Sequence, residues 1–155
     1  MRFGTGPGGL REHPLVRRLV MLDLAPDDFV IAGSGPLLAH RLRDQVSDLD
    51  VVARGDAWAQ VRRQGMADVG TITGAPIVSF WGGLIQFCRE WVTGNGDADG
   101  LIERSDMIEG VRFASLEDVL AYKLEIGRPK DFADVRLLRA HLGREAVADS
   151  ARACG

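Results

Sequence analysis

Short apolar runs alternate with amphipathic stretches in the first part of the chain. Residues 13–24 place leucines on one helical face and predict an amphipathic helix, whereas residues 27–32 form an apolar run bounded by turn residues and predict a buried strand. Pro36 suits the first turn of a helix, and residues 48–53 predict the next strand. Asp56 is then positioned to cap a helix that runs to residue 63. This order of elements predicts a mixed α/β fold.

The pattern changes to β-structure between residues 70 and 92. Residues 76–80 and 84–92 flank Trp81-Gly82-Gly83, and two consecutive glycines tolerate the positive φ that a tight hairpin turn requires. The two segments therefore predict a β-hairpin. Residues 107–113 predict one more strand, broken at its internal glycine.

The last third of the chain predicts helices. Ser115 is followed three residues later by Asp118, which resembles a capping box with Asp in place of the usual Glu. Gly127 ends that helix, Pro129 opens the next, and a weaker helix is predicted after Gly143. We therefore expect the α/β (α+β) class, with a mixed β-sheet backed by helices and a helical C-terminal segment.

The composition is consistent with one domain and a short tail. Of 155 residues, 46% are hydrophobic, which is enough for a sizeable core. Residues 1–12 are rich in glycine and predict a flexible N-terminal tail, whereas 13–155 predict a single domain with its core over 27–113 and its C-terminal helices over 115–150. No run approaches the ~20 apolar residues that cross a bilayer. The N-terminus lacks the apolar core of a secretory signal, and two cysteines are too few for a disulfide framework. We expect a cytoplasmic protein with no membrane partner.

Charge adds one detail to this picture. The formal net charge of -3 argues against a broadly basic nucleic-acid-binding domain. Arginine supplies most of the positive charge, because lysine occurs only at Lys123 and Lys130. These two positions are candidates for sites that need a compact ammonium group rather than a guanidinium. The alternative is that a compositional bias left two lysines there by chance.

The candidate chemistry lies at the predicted strand-to-helix turn and on the next strand. Gly33 and Ser34 offer backbone N–H groups, a hydroxyl and a helix N-terminus, which together favour a phosphate group. Asp48 and Asp50 are two residues apart, so in a strand they point to the same face. Two close carboxylates repel each other and commonly share a divalent cation, and Mg²⁺ prefers carboxylates together with phosphate oxygens. The alternative is that both are ordinary acids at a strand edge.

These residues resemble the DNA-polymerase-beta-like nucleotidyltransferase superfamily. The similarity consists of Gly33-Ser34, a gap of thirteen residues, and then Asp48-Leu49-Asp50. Residues 122–134, with the sequence YKLEIGRPKDFAD, further resemble the C-terminal motif of the branch that contains the AbiEii-type abortive-infection toxins and related small bacterial proteins. The two motifs together span roughly residues 29–140, and their order and spacing make the pair more specific than either alone.

The resemblance implies a role for each matching residue. Gly33 and Ser34 would contact the phosphates of a nucleoside triphosphate (NTP), and Asp48 with Asp50 would hold Mg²⁺ in a two-metal site. Lys123 would neutralise the triphosphate, and Arg128 and Lys130 would contribute to nucleotide binding. The resemblance thus implies the catalytic residues Asp48, Asp50, Glu90 and Lys123 and the nucleotide-binding residues Gly33, Ser34, Arg128 and Lys130. The implied metal ligands are Asp48, Asp50 and Glu90. Asp131 and Asp134 complete the motif, and pairing near the start of their helix is the structural alternative for both.

This sequence departs from the superfamily pattern at the third carboxylate. Members of the superfamily place an acid on a central strand, where it completes the metal site and can act as a general base. The same-face residues of the candidate strand here are Gln86, Cys88 and Glu90. Gln86 occupies the expected position, and an amide cannot act as a base. Glu90 is the acid on that face, although it lies about two positions late; the alternative is a solvent-exposed strand residue.

Three functional hypotheses follow. In the first, the protein transfers a nucleoside monophosphate from an NTP to an acceptor hydroxyl, with the tRNA 3′ end, a protein side chain or a small molecule such as an aminoglycoside as possible acceptors by resemblance. In the second, the protein binds nucleotide but is catalytically impaired because Gln86 has displaced the third acid. In the third, it is an interaction protein that forms one half of a toxin–antitoxin pair or of a larger assembly. In either of the first two cases, an antitoxin-like partner or a homodimer is a further expected partner.

Overall fold

The computed structural model of the chain describes residues 9–72, 74–91 and 97–153. Its strands are β1 (Phe29–Ala32), β2 (Leu49–Ala53), β3 (Met66–Val69), β4 (Pro76–Phe80), β5 (Ile85–Cys88), β6 (Asp106–Ile108) and β7 (Val111–Phe113). Its α-helices are α1 (Pro14–Met21), α2 (Gly35–Ala39), α3 (Gly55–Gln64), α4 (Ala98–Glu103), α5 (Leu116–Ile126) and α6 (Phe132–Ala153). Short 3₁₀ turns cover Leu10–Glu12, Trp81–Gly83 and Pro129–Asp131.

The strands form one mixed sheet in the order β3-β4-β5-β2-β1-β7-β6. The pairs β2 with β5 and β1 with β7 are parallel, and the other neighbouring pairs are antiparallel. The predicted class, a mixed sheet backed by helices with a helical C-terminal segment, is confirmed. Because β1 and β2 are central, their residues are buried except for the half-buried Asp50.

Helices cover both faces of the sheet. Alternation along β2 directs Val51 into one apolar core, which it shares with α1 and α3, and Val52 into a second core, which it shares with α4, α5 and α6. Asp50 lies two residues from Val52 and therefore points to the α5 and α6 side of the sheet. This alternation decides which helices can contribute side chains to the site.

Capping and turn chemistry confirm several predicted boundaries. Ser115 caps α5, since its Oγ accepts a hydrogen bond from the N–H of Asp118 at 3.1 Å. Gly127 ends that helix with a left-handed φ of 66°. The predicted hairpin is also present, because β4 and β5 pair across the turn that contains Gly82 and Gly83, both with positive φ.

Other boundaries predicted from the sequence were wrong. The strand predicted to run to residue 92 ends at Cys88. The single strand predicted over 107–113 is a hairpin, β6 and β7, because Glu109 and Gly110 adopt φ values of 50° and 81° that suit a two-residue turn. Strand β3 was not predicted, since its residues are all exposed and show no apolar alternation. Asp56 lies inside the first turn of α3 and does not cap it.

The ends of the chain also differ from expectation. The flexible tail predicted over 1–12 does not extend over its last three residues, which form a 3₁₀ turn. Leu10 is buried in the core, and its N–H donates to the Glu109 carboxylate at 2.9 Å. Residues 1–8 of that tail lie outside the described part. At the other end, α6 continues through Gly143 as one helix to Ala153. Within the described residues, no helix combines the length and apolar character needed to cross a membrane.

The attachment of α6 to the sheet can be tested with two neighbouring leucines. Leu138 is fully buried in the second core, whereas Leu137 is 41% exposed. We expect Leu138→Ala to lower the free energy of unfolding by about 2–5 kcal/mol, because the substitution removes buried methyl groups and leaves a cavity. Leu137→Ala is the matched control and should cost well under half as much. Chemical denaturation measures both, and equal losses would contradict this packing of α6.

Candidate functional site

The turn between β1 and α2 is shaped by its contact with Asp50. Gly33 has a φ of +61°, which disfavours any residue with a side chain. A Cβ atom at this position would also lie 2.8 Å from Oδ2 of Asp50. The antiparallel register that pairs Ala32 with Asp50 brings the carboxylate to the turn. Gly33 is therefore required both by the backbone conformation and by the close approach of Asp50.

Asp50 is held in an environment that opposes its negative charge. The pKa of Asp50 is raised to about 6, first by burial and then by the neighbouring Asp48 carboxylate, while Arg128, Lys123 and Lys130 act in the opposite direction. Asp48 is exposed and immediately precedes β2, so it lies outside the strand that was predicted to begin at this residue. At neutral pH the ionised Asp50 is thus electrostatically unfavourable, and a bound cation would relieve this cost.

Lys123 is buried beneath the same turn. Its Nζ lies 3.1 Å from Oγ of Ser34, 3.1 Å from Oδ1 of Asp131 and 3.2 Å from Oδ2 of Asp134. Its side chain is only 1% exposed. Lys123 thus donates hydrogen bonds to Ser34 and Asp131 and forms an ion pair with Asp134, which suits an ammonium group with three N–H donors. Lys123 therefore orients Ser34, whereas the superfamily resemblance implied that it would neutralise the triphosphate itself.

Two arginines extend these ion pairs of Lys123 toward the surface. Arg128 donates from Nε to Oδ2 of Asp131 at 2.7 Å, and Arg43 donates from Nη1 to Oδ2 of Asp134 at 3.3 Å. Burial raises the pKa of Asp131, but the hydrogen bonds from Arg128 and Lys123 outweigh it and hold that pKa below its ordinary value. We call these five residues the ion cluster: Lys123, Asp131, Asp134, Arg128 and Arg43. Three cations against two carboxylates leave it with one net positive charge beside Asp50.

The position of the third carboxylate follows from the strand register. In the parallel pairing of β2 with β5, Asp50 lies opposite Gln86. Glu90 is four residues farther on, beyond the end of β5, and forms an isolated bridge with Asp97. Among the described residues, no three or more His, Cys, Asp or Glu side chains lie close enough together to hold a metal ion. Asp48, Asp50 and Glu90 therefore do not converge in the described structure.

All eight residues predicted from the sequence nevertheless line one cleft of about 470 Å³. The cleft is also lined by Arg43, Gln86, Cys88, Trp91 and Tyr122. Of these, Arg43 lies in the loop after α2, where no sequence signal indicated a role. Burial raises the pKa of the Cys88 thiol to about 12, with the Asp50 carboxylate adding to the effect, so this thiol stays protonated at neutral pH.

Comparison of the chain with protein-family models, with curated proteins and with solved structures finds no match.

The unfavourable charge on Asp50 predicts that Asp50→Asn stabilises the metal-free protein. A proton binds Asp50 more tightly in the folded state than in the unfolded chain, so the cost of its charge is fully present above about pH 6 and disappears as the pH falls toward 4. We expect a gain of about 1–3 kcal/mol at pH 7.5 that shrinks toward zero at pH 4.

Urea denaturation in the presence of a chelator measures this gain at both pH values. Glu125→Gln, on the exposed side of α5, is the matched control and should change stability little at either pH. Loss of stability in Asp50→Asn at pH 7.5 would contradict the proposed environment of Asp50.

The burial of Lys123 predicts a large structural cost for its removal. Lys123→Met deprives the buried Asp131 and Asp134 of their shared cation, so we expect the free energy of unfolding to fall by about 3 kcal/mol or more. Lys130 is exposed and is the only other lysine of the chain, so Lys130→Met is the natural control, with an expected change within about 0.5 kcal/mol. Similar losses in the two variants would argue against a buried ion cluster.

Proposed function

We propose that this protein is a Mg²⁺-dependent nucleotidyltransferase that moves a nucleoside monophosphate from an NTP to an acceptor hydroxyl. One observation carries the proposal: the Gly33-Ser34 turn, the Asp50 carboxylate and the buried Lys123 meet at one cleft. A turn that presents backbone N–H groups suits a phosphate, and an adjacent acid pair suits the cation that accompanies it. The sequence resemblance to the nucleotidyltransferase superfamily rests on these same residues and is consistent with the proposal.

The donor set fits a single Mg²⁺ ion better than two. Asp48 and Asp50 supply two carboxylates, and the raised pKa of Asp50 reflects a charge that a cation would stabilise. Magnesium sites commonly use one or two carboxylates and complete their coordination with water and substrate phosphates. A two-metal site needs further acid ligands, and the described residues hold no group of three. Bound Mg²⁺ would supply charge neutralisation at the phosphate oxygens.

The chain's own residues account for binding and orientation. Ser34 accepts a hydrogen bond from Lys123, which leaves its hydroxyl proton available to a phosphate oxygen. Lys130 is exposed on the cleft and can approach the phosphates as a mobile cation. In the transfer step a bond forms from the acceptor oxygen to the α-phosphorus, the bond to the leaving pyrophosphate breaks, and Glu90 is the proposed acceptor of the hydroxyl proton.

The acceptor and the cellular setting belong to the same proposal. A tRNA 3′ end, a protein side chain or a small molecule such as an aminoglycoside each offers the hydroxyl that the reaction needs. An antitoxin-like partner or a homodimer would supply additional acceptor surface, and a cytoplasmic location would supply the NTP.

A second candidate function is nucleotide binding without transfer. The specific observation in its favour is that Gln86 lies opposite Asp50, where the superfamily resemblance leads us to expect an acid. In that case the turn, the acid pair and the ion cluster would retain Mg²⁺ and nucleotide, while the acceptor hydroxyl would lack a well-placed base.

Labelling experiments test the transfer reaction. Purified protein with Mg²⁺ and an α-labelled NTP should label an acceptor in pools of RNA, protein or small molecules. Asp50→Asn should reduce labelling by at least 100-fold, on the order of 3 kcal/mol of lost transition-state stabilisation. Asp68→Asn, on the exposed strand β3, is the control and should retain full activity. Absence of labelling in all three pools would count against transfer.

The two candidate functions separate on one further variant. Gln86→Glu introduces a carboxylate opposite Asp50. If the natural protein binds Mg²⁺ and NTP in a thermal-shift assay but transfers nothing, a gain of labelling in Gln86→Glu would identify the missing acid as the cause. If the natural protein is already active, the variant should show no comparable gain, and nucleotide binding without transfer would be excluded.

A further inference from the structure

Two aromatic rings pack together on the wall of the cleft. The ring centroids of Trp91 and Tyr122 are 4.5 Å apart, with an angle of 35° between the ring planes. Tyr122 is only 5% exposed, whereas Trp91 is half-buried, and both residues line the cleft. The packing fixes Trp91 against a buried neighbour and leaves part of its indole open to the cleft.

The aromatic pair is connected directly to the phosphate-binding turn. Tyr122 precedes Lys123 in α5, and Lys123 donates to Ser34 in the turn between β1 and α2. On the Tyr122 side, the guanidinium carbon of Arg128 lies 5.9 Å from the phenol centroid. Consecutive residues of one helix therefore fix the aromatic pair and the turn relative to each other, as a ligand with an aromatic ring at one end and phosphates at the other would require.

The other two tryptophans lack this combination. Trp58 is 7% exposed and belongs to the core on the opposite side of the sheet. Trp81 is 45% exposed but lies at the β4–β5 turn, where the guanidinium of Arg18 is 5.4 Å from its ring centroid. Neither residue is among those that line the cleft. Trp91 is thus the tryptophan whose ring faces the same space as Ser34 and Asp50.

We propose that Trp91 is the platform on which the nucleobase of the donor nucleotide stacks. The inference rests on the proposed function, because it takes the Gly33-Ser34 turn as the site of the donor's phosphates. Stacking of a base on an aromatic side chain stabilises binding without reading the hydrogen-bonding edge of the base. Trp91 also packs on the second core, so its role in binding must be separated from its role in packing.

Binding measurements with two ligands make that separation. In the presence of Mg²⁺ and without any acceptor, ATP probes the base and the phosphates together, whereas inorganic tripolyphosphate probes the phosphates alone. Trp91→Leu keeps an apolar side chain against the core but removes the aromatic face. We expect it to weaken ATP binding about 5- to 100-fold and to change tripolyphosphate binding less than twofold. Trp91→Phe retains an aromatic ring and should recover most of the affinity for ATP.

Trp81→Leu is the control for these measurements and should leave the binding of both ligands unchanged. If Trp91→Leu weakens the binding of ATP and of tripolyphosphate equally, or of neither, Trp91 is not the stacking platform. The proposed function can still stand in that case. If the natural protein binds neither ligand with Mg²⁺, the proposed function itself fails, and the platform fails with it. Isothermal titration calorimetry measures all of these affinities on the intact chain.

Discussion

The buried ammonium of Lys123 is the contact on which the rest of the site depends. It joins α5, which carries it, to the 3₁₀ turn before α6 through Asp131, to the first turn of α6 through Asp134, and to the turn between β1 and α2 through Ser34. A charge this deeply buried is tolerated only when partners match its donors and compensate its desolvation. The ion cluster therefore fixes the helical layer against the sheet at the point where the cleft opens.

The neighbouring Asp50 follows the opposite logic. Lys123 has its charge matched within the protein, but burial and Asp48 raise the pKa of Asp50, and its carboxylate lies against a glycine that no larger residue could replace. Groups held in such unfavourable environments are concentrated at functional sites, because the cost is recovered when a ligand binds. The contrast separates two kinds of charge in the cleft: a cationic cluster whose charges are paired within the protein, and an acid whose ionised form its surroundings disfavour.

The parallel pairing of β2 with β5 determines what chemistry the acid can reach. The register sets Gln86, not an acid, opposite Asp50, and β5 ends two residues before Glu90. An amide can accept or donate a hydrogen bond but cannot take up a proton at neutral pH. Under the proposed function, the choice between nucleotide transfer and nucleotide binding alone therefore depends on one strand, whereas the proposed phosphate site at the Gly33-Ser34 turn is the same in either case.

Local sequence determined the strand-turn-helix-strand unit, the cap at Ser115 and the chemistry of Gly33, Ser34 and Asp50, because these features depend on neighbours within a few residues. The superfamily resemblance of residues 122–134 further grouped Lys123 and the residues around Asp131 into one motif. Only the tertiary structure decided that Lys123 is buried behind Ser34, that Arg43 joins Asp134, and that Gln86 stands opposite Asp50. These contacts join residues far apart in the chain, and strand register and helix packing determine them. Neither is encoded in the spacing of a motif.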